Sequence, residues 1–109
     1  VIYFKDAARA LIELGRAAVE RIKMVNYLVA GSPPIVTARE LAELVKSRVP
    51  NAQIDFEPDL ELQKILDKSL LPFDDSLARK EWGWKPEYNQ ERIVDDFLEE
   101  MRKHPERYG

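Results

Sequence analysis

The chain has 109 residues, of which 45% are hydrophobic and 34% are charged, and its net charge is −3. This length and apolar content suit one domain with a small core. The acidic balance offers no basic face for nucleic acid, and the apolar runs are too short to cross a membrane. The absence of cysteine excludes disulfides and thiolate metal sites and fits the reducing cytoplasm, where we place the protein.

The first half alternates short apolar runs with helical patterns. Residues 1–4 predict a strand, and Asp6 stands where the N-cap of the following helix belongs. A second strand is expected at residues 24–30, before a turn that contains two prolines. Thr37 begins a helix with a capping box, and residues 53–57 alternate polar and apolar side chains as a third strand does.

The second half is predicted to be helical. Residues 59–68 fit either a short helix or an irregular crossing. Asp74 can cap a helix that ends at Gly83, and Asn89 can cap a last one. The resulting order is β-α-β-α-β-loop-α-α. It predicts an α/β domain whose sheet extends that of a neighbouring domain.

The sequence contains no residue set able to carry out a reaction alone. It has no Ser/His/Asp set, no Tyr-x-x-x-Lys pair and no glycine-rich phosphate loop, because all four glycines are isolated. The only histidine, His104, has no second metal ligand beside it. We therefore predict no catalytic, metal-binding or cofactor-binding residue here. A first residue other than Met adds to the expectation that the chain is a fragment of a larger enzyme.

Three residues of the second half have side chains that fit either packing or binding. Trp82 is expected to fill the core, and for Trp84 packing is favoured over stacking on a base or sugar. Lys64 lies beside apolar Ile65 and Leu66. Its ammonium can point at an anionic substrate or remain in solvent, and the residues alone leave both alternatives open.

The order of these elements resembles the C-terminal part of the extended short-chain dehydrogenase/reductases, a superfamily that includes nucleotide-sugar epimerases and dehydratases. The resemblance depends on a run leading into Asp6 and Ala7, a run ending in Gly31, a helix capped by Thr37, and a closing Asp-x-Ser-x-Ala…Trp-Gly-Trp motif at residues 74–84. It extends over nearly the whole chain. Residues 1–109 are then the small substrate-side domain of such an enzyme, without its Rossmann half.

Within the superfamily, the chain is most similar to the short-chain-type L-threonine 3-dehydrogenases, through the segment 63–65 and the motif at 74–84. Nucleotide-sugar epimerases generally have arginine where Lys64 falls, and lysine is a weaker partner for a diphosphate. The threonine dehydrogenases usually carry Trp-Pro where this chain has Ser69 and Leu70, which opens the pocket wall to a larger or more polar substrate. The resemblance thus implies that Lys64 and Ser69 contact the substrate.

The resemblance also implies what the rest of the enzyme contains. An N-terminal Rossmann domain would bind NAD through a glycine-rich loop and supply a Tyr-x-x-x-Lys pair for proton transfer. The expected partners are this domain, a small-molecule substrate and a second copy of the parent protein in a homodimer, with neither nucleic acid nor membrane. Two alternatives stay open: the C-terminal part of an NAD-dependent nucleotide-sugar epimerase or dehydratase, and a stand-alone interaction module.

Overall fold

The computed structural model describes residues 2–69 and 73–108. These residues form helices joined by irregular segments, namely α1 (Phe4–Arg16), a 3₁₀ turn (Val19–Arg21), α2 (Ala38–Arg48), α3 (Leu60–Ser69), α4 (Ser76–Trp82), α5 (Gln90–Lys103) and α6 (Pro105–Tyr108). None of these helices is long and apolar enough to cross a membrane. The radius of gyration is 17.0 Å, and the molecule extends over 52 × 38 × 22 Å. A compact domain of this length has a radius of about 13 Å, so the helices form an open layer.

Most helix ends form where the sequence predicts them. The Thr37 hydroxyl accepts the Glu40 backbone N–H, and the Glu40 carboxylate accepts the Thr37 N–H at 2.7 Å, which confirms the capping box. Asn89 Oδ1 accepts the Arg92 N–H at 2.9 Å and caps α5. Gly83 ends α4 with φ of 80°, a left-handed conformation that glycine adopts without steric cost. Each of these helix ends depends on contacts between residues that are close in the sequence, so the local sequence determines it.

The predicted α/β fold is wrong for the residues that the structure describes, because they contain no strand. Of the first predicted strand, residues 2 and 3 are irregular and Phe4 already begins α1, while Val1 lies outside the described residues. Residues 24–30 and 53–57 are irregular. A β-strand needs a neighbouring strand to accept and donate its backbone hydrogen bonds, and alternation of side chains cannot supply one. The order β-α-β-α-β-loop-α-α is therefore replaced by a series of helices.

Two predicted caps are also displaced. Tyr3, not Asp6, is the N-cap of α1, and Asp6 is the third helical residue and fully buried. Asp75 is the N-cap of α4, whereas Asp74 accepts the Ser76 N–H at 2.9 Å from outside the helix. In both cases the sequence identified an acidic residue near the helix start, but the cap lies three residues before Asp6 in α1 and one residue after Asp74 in α4.

The core is small and centres on two tryptophans. Trp82 and Trp84 are 8% and 2% exposed and pack with Ala10 of α1 and Ala78 of α4. The edge of Tyr27 meets Trp82 with ring centroids 5.9 Å apart. The packing predicted for both tryptophans is thus confirmed, and the irregular segment that contains Tyr27 is held by this packing instead of by a sheet.

A buried carboxylate joins α1 to the segment that precedes α5. Asp6 accepts the backbone N–H groups of Glu87 and Tyr88 at 3.0 to 3.2 Å, and the Arg9 guanidinium donates to it at 2.8 Å. Arg9 also lies over the Trp84 ring, 4.9 Å from its centroid. This network fixes α1 against residues 84–88, which connect α4 to α5.

Candidate functional site

A hollow of about 350 Å³ lies between the segment at residues 29–35 and the start of α4. Its lining is more apolar than polar and consists of Ile2, residues 29–35, Phe73, Asp75, Arg79 and Gln90. Small-molecule pockets commonly have volumes of about 300 to 1,000 Å³ with a few polar groups among apolar walls. The hollow falls at the lower end of that range and suits a small ligand.

One wall of the hollow is formed by α4 and carries an ion pair between two residues that are one helical turn apart. Asp75 is buried, and its two carboxylate oxygens accept from Arg79 Nε at 2.7 Å and from a terminal Arg79 nitrogen at 2.9 Å. The i, i+4 spacing on α4 makes this bidentate geometry possible. Asp75 raises the pKa of the Arg79 guanidinium. The two hydrogen bonds hold both side chains in place, so the pair presents a fixed polar edge to the hollow.

The opposite walls come from the start of α5 and from the segment at residues 29–35. The amide nitrogen of Gln90 donates at 3.4 Å to the carbonyls of Ser32 and Pro34. The Trp84 indole N–H donates to the Ala30 carbonyl at 3.2 Å. The peptide bond between Pro33 and Pro34 is cis. The hydrogen bonds from Gln90 and Trp84 fix the backbone of residues 29–35 along the edge of the hollow.

The described lining of the hollow lacks the side chains that most often transfer protons in enzymes. Among the residues that the structure describes, the lining includes no histidine, cysteine, lysine or tyrosine, and its one carboxylate is paired with Arg79. Across residues 2–69 and 73–108, no group of three or more His, Cys, Asp or Glu side chains is arranged to hold a metal ion.

The structure places Lys64 and Ser69 on α3, outside the hollow. The Lys64 ammonium pairs with Glu61 at 2.9 Å and is two-thirds exposed. The Ser69 hydroxyl donates to the Leu66 carbonyl at 3.1 Å. Residues 70–72, which follow Ser69, lie outside the described part of the chain. Four residues span at most about 14 Å, so Ser69 lies within that distance of Phe73 at the hollow.

A second depression of about 620 Å³ lies between α2 and α5 and is shallower. Its charged walls already form ion pairs, between Arg48 and Asp95 at 2.9 Å and between Lys103 and Glu99 at 2.6 Å. The exposed pair between Arg48 and Asp95 ties α2 to α5 weakly, whereas Glu99 and Lys103 both lie on α5. The smaller, more enclosed hollow is the better candidate site.

Sequence reasoning missed Asp75, Arg79 and Gln90 as hollow-lining residues. The i, i+4 spacing of Asp75 and Arg79 was a signal for their pairing. No signal in the sequence places Gln90 against Ser32, because 58 residues separate them and only the tertiary fold brings them together.

No protein-family model matches the chain. Among curated proteins, the mitochondrial L-threonine 3-dehydrogenases of Bos taurus and Sus scrofa are 35% and 34% identical to it over 98 residues. An uncharacterized epimerase/dehydratase of Staphylococcus saprophyticus is 28% identical over 100 residues. These alignments cover 90 to 91% of the chain but only 26 to 31% of the relatives. The chain thus spans about a quarter of the length of the two mammalian relatives.

Solved structures give the same relationship. The holo form of a GalE-like L-threonine dehydrogenase from Cupriavidus necator superposes with a TM-score of 0.76 at 36% identity, over 92% of this chain and 32% of that one. The L-threonine dehydrogenase from Phytophthora infestans gives a TM-score of 0.77 at 25% identity, over 94% of this chain and 32% of that one. Both matches fall within the C-terminal part of the larger proteins.

Proposed function

Because the chain is a homologue of the C-terminal part of L-threonine dehydrogenases, we propose that residues 1–109 form the substrate-binding region of an NAD-dependent oxidoreductase. The first candidate for its substrate is L-threonine. The agreement of both sequence and fold with these enzymes over at least 90% of the chain is the observation that carries the proposal. A stand-alone interaction module receives no support from these comparisons.

In this proposal, an N-terminal Rossmann domain of the parent protein binds NAD. The residues of this chain do not fit a dinucleotide, because the four glycines are isolated and residues 2–69 and 73–108 contain no sheet edge. The 109-residue chain should therefore be inactive and bind NAD weakly. Tight binding of NAD to this chain in a calorimetric titration would contradict that assignment.

Lys64 and Ser69 remain our candidates for substrate contacts. Both lie on α3, which has no buried residue among those described and leads toward Phe73 at the hollow. The Lys64 ammonium is held only by an exposed i, i+3 pair with Glu61, so it can turn to a substrate carboxylate at little cost. Ser69 offers a short hydroxyl where a tryptophan would close the space.

The test is an NAD-reduction assay of the parent protein with L-threonine, compared with UDP-glucose and UDP-galactose. Removing a charged hydrogen bond costs about 1.5 to 3 kcal/mol, so Lys64→Ala should raise KM for L-threonine about 10-fold or more and leave kcat nearly unchanged. Lys46→Ala is the matched control, because Lys46 pairs with Glu43 at the same i, i+3 spacing on α2. Equal KM values for the two variants would remove Lys64 from the site.

Ser69 has its own substitution test in the parent protein. Ser69→Trp restores the side chain that is usual in threonine dehydrogenases and narrows the pocket. It should lower activity toward substrates larger than L-threonine and spare L-threonine itself. An unchanged ratio of kcat/KM values for large and small substrates would show that Ser69 does not border the substrate.

The second candidate function is that of a nucleotide-sugar epimerase or dehydratase. The similarity to the staphylococcal epimerase/dehydratase favours it, since that alignment covers 91% of the chain. Lys64 would then contact the diphosphate. Turnover of a UDP-sugar without turnover of L-threonine would establish this alternative, and Lys64→Arg should then raise affinity through bidentate bonding.

We further propose that the parent is a homodimer located in the cytoplasm. The lack of cysteine in this chain agrees with that compartment, whereas the two mammalian relatives are mitochondrial enzymes. Light scattering of the purified parent gives its mass, and fractionation of the source cells gives its location. A monomeric mass or a mitochondrial fraction would refute the respective assignment.

A further inference from the structure

Helix α1 is apolar on two opposite sides, of which this chain covers only one. Asp6, Ala10 and Leu14 face the core. The opposite side carries an apolar stripe made of Phe4, Ala8, Leu11 and Ile12, which we term the α1 stripe. At 100° per residue, these four positions fall within an arc of about 100°.

The α1 stripe is open to solvent along its whole length. Phe4, Leu11 and Ile12 are 54%, 74% and 52% exposed, and Ala8 is exposed as well. An ordinary surface helix is apolar on one side and polar on the other, whereas a helix that is apolar on both sides lies between two layers. Contiguous exposed apolar residues of this kind mark an interaction surface.

The surface of the whole chain is also larger than a complete domain requires. Its accessible area is 8834 Å² for a mass of 12.7 kDa. A compact monomer of that mass exposes about 6,200 Å², which leaves an excess of about 2,600 Å². Permanent interfaces bury about 2,000 to 5,000 Å² in total, or half of that on each partner. The excess is therefore large enough for a permanent interface.

We propose that the α1 stripe is the surface on which the remaining part of the parent protein packs, through a flat, apolar and uncharged face. This inference rests on the proposed function, in which the chain is one part of a larger protein. The relatives are about three to four times longer than their match to this chain, so they contain the material needed to cover the stripe. Two charged residues beside the stripe on α1 already have partners within the chain, since Lys5 pairs with Asp96 and Arg9 with Asp6.

Cysteine labelling of the full-length parent tests the inference, and this region contains no native cysteine to interfere. Ala8→Cys places a thiol within the α1 stripe, and Ala18→Cys places one at an exposed position beyond α1. Both changes add a single sulfur atom, so neither should disturb the fold. Alkylation by iodoacetamide is followed by mass spectrometry of the peptide that contains each cysteine.

The expected result is that Ala8→Cys reacts about 100-fold or more slowly than Ala18→Cys in the folded parent, because a covered thiol reacts only through local opening. The two rates should converge in denaturant. Leu11→Cys is a second variant within the stripe and should be equally protected. Equal rates for Ala8→Cys and Ala18→Cys in the folded parent would overturn the proposal.

Labelling at decreasing protein concentration distinguishes coverage of the α1 stripe by the rest of the same chain from coverage by a second copy of the protein. Protection by the rest of the same chain does not depend on concentration, whereas protection that disappears with dimer dissociation would assign the stripe to a homodimer and overturn the proposal. The labelling result is independent of the substrate assay. A protected stripe without threonine turnover would refute the proposed function alone, and an exposed stripe with turnover would refute the docking surface alone.

Discussion

The removal of the Asp6 carboxylate is the sharpest test of how this chain holds together. In Asp6→Ala, the backbone N–H groups of Glu87 and Tyr88 lose their acceptor, and Arg9 loses one of its carboxylate partners. Asp6 is fully buried, whereas the Arg9 side chain is about one-quarter exposed and still has Glu13 as a partner. We therefore expect the loss to come mainly from the two backbone donors.

The expected loss can be estimated from these contacts. Removing one partner of a buried ion pair costs about 3 to 5 kcal/mol, and leaving a buried donor unsatisfied costs about 1 to 3 kcal/mol. Because Arg9 keeps other partners and some solvent, the lower end applies, and Asp6→Ala should lower the free energy of unfolding by about 3 kcal/mol.

Urea denaturation of the 109-residue chain, followed by tryptophan fluorescence, measures this loss directly. Asp67→Ala is the control, because Asp67 is an exposed acceptor for Gln63 on α3 and its removal should leave the midpoint unchanged. A loss below about 1 kcal/mol for Asp6→Ala, the net value of one ordinary hydrogen bond, would refute the role assigned to the carboxylate.

The pH dependence gives a second check on the same residue. Burial by itself would raise the pKa of the Asp6 carboxyl, but Arg9 and the backbone N–H groups of Glu87 and Tyr88 outweigh it and lower that pKa. A carboxyl with a lowered folded-state pKa contributes its full stability above the unfolded pKa of about 3.9. This contribution is lost as pH falls through the folded-state pKa. The difference in unfolding free energy between the wild type and Asp6→Ala should therefore shrink between neutral pH and strong acid, and a constant difference would contradict the linkage.

Three further changes have defined expectations, each measured by the same urea denaturation. Gly83→Ala should lower the free energy of unfolding by about 1 to 2 kcal/mol, because a φ of 80° is unfavourable for alanine even where an added Cβ meets no atom within 4 Å. A neutral effect would show that the left-handed cap is not needed. Gly15→Ala, in the last turn of α1, should instead raise the free energy of unfolding by up to about 0.5 to 1 kcal/mol, because an added Cβ meets no atom within 4 Å. The opposite sign would mean that its surroundings are not open. Trp84→Ala should lower the free energy of unfolding by about 3 to 5 kcal/mol through the lost core volume, and Trp84→Phe should lower it less. Equal losses for the two variants would assign the effect to the hydrogen bond from the indole N–H to the Ala30 carbonyl.

The sequence by itself determined the local features and the relationship to other proteins. The cap at Thr37, the cap at Asn89 and the left-handed end at Gly83 each depend on residues within four positions, so they could be identified without a fold. The closing motif at residues 74–84 carried the family resemblance, which the comparisons bear out. The roles of Lys64 and Ser69 stay predictions.

Only the tertiary structure decided what the apolar runs become and where the buried polar groups lie. The apolar run at residues 24–30 and the alternating run at residues 53–57 predict strands, but pairing depends on a neighbour that side-chain pattern cannot provide. Asp6 looked like a helix cap, yet its acceptors serve backbone groups 81 and 82 residues away. Gln90 contacts Ser32 at the hollow although 58 residues separate them in the sequence. Side-chain pattern encodes which face of a segment is apolar, whereas the identity of the surface that covers it depends on long-range packing.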